Sequence, residues 1–281
     1  MKLLRYGDSG CELPGLLDSD GRIRSLEGIV PDLAGELLSD ESIEKIRQLD
    51  VAKLPLVEQG VRLGPCVAGT SKVIGIGLNY ADHAAEAGVE VPSEPVIFMK
   101  ATTSITGPND NIEIPRGSGK TDWEVELGVV IGKRAKYITE QDSFSHVAGY
   151  CVVNDVSERS FQLERSGLWD KGKGCDTFSP LGPWLVTRDE IGDPQDLNLW
   201  LEVDGHRYQN GSTSTMIFGV TTLVSYVSQF MSLMPGDVIT TGTPPGVGMG
   251  QNPKVFLKPG QTVRLGIEGL GEQEQQTVAA K

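Results

Sequence analysis

From residue 72 onward the chain reads as short apolar runs separated by glycine, proline and aspartate turns, and that rhythm restricts the folds open to it. Candidate strands fall at 73–77, 96–99, 125–131, 148–153, 182–187, 198–203, 237–240 and 262–267. Two helices stand out: a short one after Asn79, and one over about 220–233 that carries Leu223, Val227, Phe230 and Met231. Many short strands with turn signals predict a β-sandwich or barrel-like mixed sheet, not a succession of βαβ units.

Residues 1–70 differ in character. "LLRYG" and "PGLLDSDGRIRSL" suggest short strands around an Asp20-Gly21 turn. In "SDESIEKIRQLD", Ser39 is placed to cap a helix whose Ile43, Ile46 and Leu49 share one stripe. A proline-punctuated stretch then leads to about residue 72. We therefore expect a small N-terminal α/β domain over 1–70 and a larger domain over 71–281. The polar tail "GEQEQQTVAAK" is expected to fray.

A length of 281 residues allows one large domain, or a main domain with a small appendage. Lys and Arg total 25 against 38 Asp and Glu, a formal charge of −13, and no basic run offsets it. Such a chain repels a phosphate backbone, so nucleic acid is not an expected partner. No run approaches the ~20 apolar residues of a membrane span. "MKLLRYGDSG" reaches Asp8 before an apolar leader core could form, so the expected location is cytoplasmic. Cys11, Cys66, Cys151 and Cys175 are dispersed and read as free thiols, and His83, His146 and His206 are the three histidines.

"WEVELGVVIG" at 123–132 carries the first chemical signal. On a strand, Glu124 and Glu126 face one side while Trp123, Val125 and Leu127 face the other. A solvated polar face has the same pattern. Two carboxylates turned toward one cavity would instead call for a cation between them. Asp155, at the end of the apolar run in "AGYCVVNDVSER", supplies a third carboxylate. Three carboxylates form a hard oxygen site suited to Mg²⁺ or Mn²⁺, whereas catalytic zinc usually takes two or three imidazoles.

"GLNYADHAAEAG" carries the second signal. Asn79 can cap a short helix that Gly88 ends, which puts His83 and Glu86 at i and i+3 on one face. A carboxylate beside an imidazole raises its basicity and fixes its tautomer, as a general base acting through water requires. An incidental surface ion pair would look alike. Glycines at 75, 77 and 88 would let this segment act as a mobile lid.

"GIGLNY" lacks the third glycine of a dinucleotide fingerprint, and "TGTPPGVGMG" lacks the Gly-Lys-Ser/Thr ending of a phosphate loop. The latter reads as a rigid turn that presents N–H groups and the Thr243 hydroxyl to an anion, or as an ordinary turn between strands. Lys100, Arg159 and Lys173 stand near these segments, either as surface charges or as partners for a substrate carboxylate or enolate.

In that order, "GIGLNYADHAAE", "PVIFMK", "DWEVELGVVIG", "VVNDVSER", "GKGCDTFSPLGP" and "MPGDVITTGTPPGVG" resemble the fumarylacetoacetate hydrolase family over residues 70 to about 270. The resemblance implies a mostly β, α+β architecture, a mixed β-sandwich roll, usually as a homodimer. It implies Mg²⁺ or Mn²⁺ on Glu124, Glu126 and Asp155, and a water-activating dyad of His83 and Glu86. It also implies Lys173 beside the metal, and substrate contacts from Lys100, Arg159, Gln162 and Thr243. The small-molecule partner would be a 2-oxo or 2,4-diketo acid, cleaved at a C–C bond to release pyruvate.

The N-terminal segment looks like the subgroup that acts on sugar-acid-derived substrates such as 2,4-diketo-3-deoxy-L-fuconate or rhamnonate. Ureidoglycolate lyases and oxaloacetate decarboxylases share the look and the metal platform. A non-catalytic oxo-acid binding protein is the alternative of another class.

Overall fold

The computed structural model of the chain describes residues 1–88 and 90–281. Strands β1 (Lys2–Tyr6), β2 (Leu13–Leu17) and β3 (Ile23–Ser25) come first, followed by helix α1 (Asp40–Arg47). Then come β4 (Val73–Gly77), α2 (Ala81–Ala87), β5 (Val96–Lys100), β6 (Ile105–Thr106), β7 (Ile112–Ile114), β8 (Thr121–Asp122) and β9 (Val125–Ile131). The middle of the chain forms β10 (Val147–Asn154), β11 (Ser157–Glu158), α3 (Arg159–Leu163), α4 (Asp170–Lys173) and β12 (Ser179–Thr187). After these follow β13 (Asn198–Val203), β14 (His206–Ser212), α5 (Val220–Phe230), β15 (Val238–Thr240), β16 (Thr262–Ile267) and β17 (Gly271–Ala279).

Among the described residues a ten-stranded mixed sheet runs β3-β2-β1-β12-β10-β9-β15-β4-β5, with β6 paired to β12. A five-stranded sheet, β14-β13-β16-β17-β7, lies against its centre, and β8 pairs with β11 separately. The architecture is the mostly β mixed sandwich that the alternation of strands and turns predicts.

β9 and β10 are covered on both faces, which is why their sequences are almost continuously apolar. Leu127, Val129, Tyr150 and Val152 pack with Leu199, Leu201, Val263 and Leu265 of the second sheet. On the opposite face Val130, Cys151 and Val153 pack with Leu3, Leu16, Leu33, Ile43 and Ile46 from the N-terminal segment. At about 25 cal/mol per Å² of apolar surface, a fully buried Leu or Val contributes roughly 1.5–3 kcal/mol, so both faces anchor these central strands.

Ser39 caps α1 as its sequence suggests, accepting from the Ser42 N–H at 3.4 Å. Three expectations need correction. Asn79 does not cap α2: Tyr80 holds that position, and the Asn79 amide is drawn away to Thr241 O (2.8 Å) and Phe218 O (3.0 Å). The second predicted helix stops at Phe230 instead of reaching 233.

The polar tail does not fray. Residues 271–279 form β17, which alternates buried and exposed side chains, but the inward ones are Gln273, Gln275 and Thr277. Gln273 donates to Val152 O (2.8 Å) and Gly182 O (3.0 Å). Gln275 Oε1 accepts from Asn154 Nδ2 at 3.1 Å. Amides that satisfy one another and the main chain can replace an apolar core without leaving polar atoms unpaired.

Candidate metal centre and active site

β9 and β10 run antiparallel with Val125 opposite Asn154, so the start of one meets the end of the other. Glu124 precedes β9 and Glu126 lies within it, two residues apart and on the same face. Asp155 follows β10 directly. The Asn154 amide oxygen accepts from the Glu124 N–H at 3.2 Å, and the Asp155 N–H donates to Glu124 O at 2.9 Å. All three carboxylates are buried, and each offers an oxygen within 4.8 Å of the others.

Three cations meet this cluster. Lys173 Nζ bridges Glu124 Oε2 and Asp155 Oδ2, both at 2.6 Å. Lys100 donates to Asp155 Oδ1, and Arg159 Nη2 donates to Glu124 Oε1 at 2.6 Å. Burial pushes the Glu124 carboxyl up, but Arg159 and Lys173 outweigh it and hold the group well below the usual range. Burial opposes the Lys173 ammonium too, and Asp155 with Glu124 overcomes it, keeping that lysine above its ordinary value.

Glu126 is different. It accepts from the Thr240 hydroxyl and the Gly242 N–H (2.8 Å), both neutral donors. Burial, then the neighbouring Asp155 and Glu124 carboxylates, push its pKa well up. A buried carboxylate with neutral partners, aimed at two others, favours a cation at the point where the three meet. The all-oxygen donor set fits a hard divalent ion such as Mg²⁺ or Mn²⁺.

His83 and Glu86 touch as their spacing predicts, with Nδ1 3.0 Å from Oε2. Gly88, at φ 65°, ends their helix in the left-handed conformation that favours glycine. Glu86 also accepts from the Gly246 N–H at 3.2 Å. His83, Glu86, Glu124 and Glu126 line one cavity of about 530 Å³, together with Arg159, Gln162, Lys173 and Thr243.

Several expected substrate contacts are already committed elsewhere. Lys100 lies beneath Asp155, fully buried and off the cavity wall. Arg159 uses Nε on Asp122 (2.9 Å), Nη1 on Gln162 Oε1 (3.0 Å) and Nη2 on Glu124. The Thr243 hydroxyl donates to Val125 O (2.9 Å) and accepts from Gln209 Nε2 (2.8 Å). The glycine-rich loop does present N–H groups to anions, but the anions are the protein's own: Gly242 to Glu126, Gly246 to Glu86, Gly248 and Met249 to Asp122.

Asp122 is the residue that sequence reading passes over. Fully buried, it accepts from Arg159 Nε, from the N–H of Gly248 (2.6 Å) and Met249 (3.0 Å), and from its neighbour Trp123 (2.8 Å). It thereby joins the arginine that holds Glu124 to the loop that holds Glu86. Its position two residues before Glu124 was the available signal.

Residues 72–278 match the sequence profile of the family described as Fumarylacetoacetate (FAA) hydrolase C-terminal. A Burkholderia orbicola protein with a provisional hydrolase name is 68% identical over 278 residues, 99% of each chain. Among solved structures, a 5-carboxymethyl-2-hydroxymuconate delta-isomerase from Mycobacterium smegmatis is similar at 34% identity and TM-score 0.78, covering 100% of each chain. A maleylpyruvate hydrolase from Sphingobium sp. SYK-6, in complex with manganese(II) and pyruvate, is similar at 25% identity and TM-score 0.82, also over 100% of each.

Proposed function

The chain belongs to the fumarylacetoacetate hydrolase family, and from that membership we propose that it is a divalent-metal-dependent hydrolase that cleaves a C–C bond in 2,4-diketo acids and releases pyruvate. One observation carries this reading. Glu124 and Glu126 line the same cavity as the His83–Glu86 pair, with Asp155 buried directly behind them, so an ion-binding group and a water-activating group can reach one small molecule. A protein that only bound oxo acids would have no use for the second. The manganese and pyruvate of the maleylpyruvate hydrolase support it by analogy.

Glu124, Glu126 and Asp155 would hold Mg²⁺ or Mn²⁺, which when bound supplies Lewis-acid polarisation of the 2-oxo acid and charge to offset its developing enolate. Glu86 takes the Nδ1 proton of His83 in a hydrogen bond, leaving Nε2 to accept a proton from water. The hydroxide adds to C4. The C3–C4 bond then breaks with its electron pair going to C3, and the acyl half leaves as a carboxylic acid. The Lys173 ammonium offsets charge on the pyruvate enolate, and the imidazolium returns its proton to C3. The acyl group is left to the substrate panel below, and a homodimeric assembly and a cytoplasmic location complete the proposal. On the last point, no helix among the described residues is long and apolar enough to cross a membrane.

The test is turnover on 2,4-diketo-3-deoxy sugar acids, simple acylpyruvates, ureidoglycolate and oxaloacetate, with Mg²⁺, with Mn²⁺ and with a chelator. Chelator-sensitive release of pyruvate from a diketo acid is the expected result. Reaction of oxaloacetate or ureidoglycolate alone would replace the hydrolase by a decarboxylase or lyase and remove the water-activating role from His83 and Glu86.

A further inference from the structure

The cavity wall next to the acidic trio is aromatic, and the main chain is shaped to make it so. Phe98 on β5 and Trp169, just before α4, pack with ring centroids 5.6 Å apart at 57°. Both lie over β4 at its two glycines. A Cβ at Gly75 would fall 2.0 Å from Phe98 Cζ, and one at Gly77 would fall 2.5 Å from Trp169 Cζ3. Any side chain at either position would displace a ring. The glycines of "VIGIG" are therefore the seats of an aromatic shelf.

The shelf points outward from the centre. Lys173 Nζ stands 4.8 Å from the Phe98 ring centroid, so Phe98 adjoins the cation cluster. Trp169 lies one helical turn before Lys173 and is less buried. Facing the same space are Val247 and Met249, and Leu163, which is 47% exposed. Polar groups there are few: Gln162 Oε1 accepts from Arg159 and Gln251 Nε2 donates to Val247 O (3.3 Å), which leaves the other end of each amide and the exposed Lys254 at the edge.

Resting on the hydrolase reading above, we infer that the acyl half of the substrate is a flat apolar group, an aryl or conjugated hydrocarbon, that packs on the Phe98–Trp169 shelf. A sugar-derived acyl chain would bring several hydroxyls against the faces of Phe98, Trp169, Leu163, Val247 and Met249, where only Gln162, Gln251 and Lys254 are at hand to pair them, and unpaired polar groups discriminate strongly. A flat apolar group gains ring contacts of the kind aromatic pairs make.

Three substrates with the same pyruvate end decide the matter: benzoylpyruvate, acetopyruvate and a 2,4-diketo-3-deoxy sugar acid, each with Mn²⁺. For the wild type, kcat/KM on benzoylpyruvate should exceed that on the sugar acid at least about tenfold. In Trp169→Ala the ratio of benzoylpyruvate to acetopyruvate kcat/KM should fall about tenfold, and Trp169→Phe should restore most of it. Sugar acid preferred over benzoylpyruvate, or a ratio insensitive to Trp169, overturns the shelf while leaving the hydrolase standing. Should no substrate release pyruvate, the hydrolase reading falls. Calorimetric binding of benzoylpyruvate to wild type and Trp169→Ala then decides the shelf alone, with equal affinities overturning it.

Discussion

The two halves of the site are built by opposite rules. Glu124, Glu126 and Asp155 sit at the junction of the two most enclosed strands, tied to two lysines, an arginine and an asparagine. His83 and Glu86 ride on a seven-residue helix at the surface, whose charged side chains reach the body through Gly246 and, from Asp82, through Thr215. Removing Glu124 or Asp155 would leave a buried lysine or arginine short of its partner, whereas the His83–Glu86 pair can be broken at less cost. The lesson is that chemistry and stability should be inseparable in the first region and separable in the second.

The sharpest way to break that contrast is Glu126→Gln. Loss of the ion site should lower turnover by about a thousandfold or more, since metal assistance supplies several kcal/mol. Metal binding, followed calorimetrically, should disappear with it. A variant that keeps both would remove Glu126 from the ion site.

His83→Ala should cost about 10²–10⁴ in kcat, yet shift the unfolding free energy by no more than about 1 kcal/mol, the net worth of one ordinary hydrogen bond. Urea unfolding of the same preparation checks both halves of that statement. A large loss of stability would show that the dyad is structural.

Metal alone should distinguish the regions a third way. Saturation at about a hundred times its Kd should stabilise the fold by about 2.7 kcal/mol. That gain should persist in His83→Ala and vanish in Glu126→Gln. Asp122→Asn keeps the shape but weakens charge-assisted bonds to Arg159 and the loop, a stability cost of about 1–3 kcal/mol. Because Asp122 links the two regions, this variant should also weaken metal binding, which no change at His83 should do.

What the sequence made legible follows the same division. Period-two alternation put Glu124 and Glu126 on one face because Trp123, Val125 and Leu127 are unmistakably apolar, and Asp155 sat where an apolar run ended. The contact of His83 with Glu86 follows from helical spacing alone. Asn79 misled because an asparagine that caps a helix and one that joins two loops have the same local sequence. The ion pairs and loop contacts that commit Arg159, Thr243 and Asp122 reach groups 34 to 127 residues away, and no local pattern carries that information. Strand β17 was hidden because its inward face is glutamine, which a hydrophobic pattern cannot register.

That glutamine face ties the acidic ligands to the far end of the chain. Asn154, which orients the Glu124 main chain, is itself held by Gln275, 121 residues further along, and Gln273 grips the neighbouring main chain of β10 across the same interval. Contacts of such separation carry a loop-closure cost. A chain still lacking residues 271–279 therefore has its acidic ligands but not the brace that aligns them. The alignment of the acidic ligands at one end of the sandwich thus depends on the last strand of the chain.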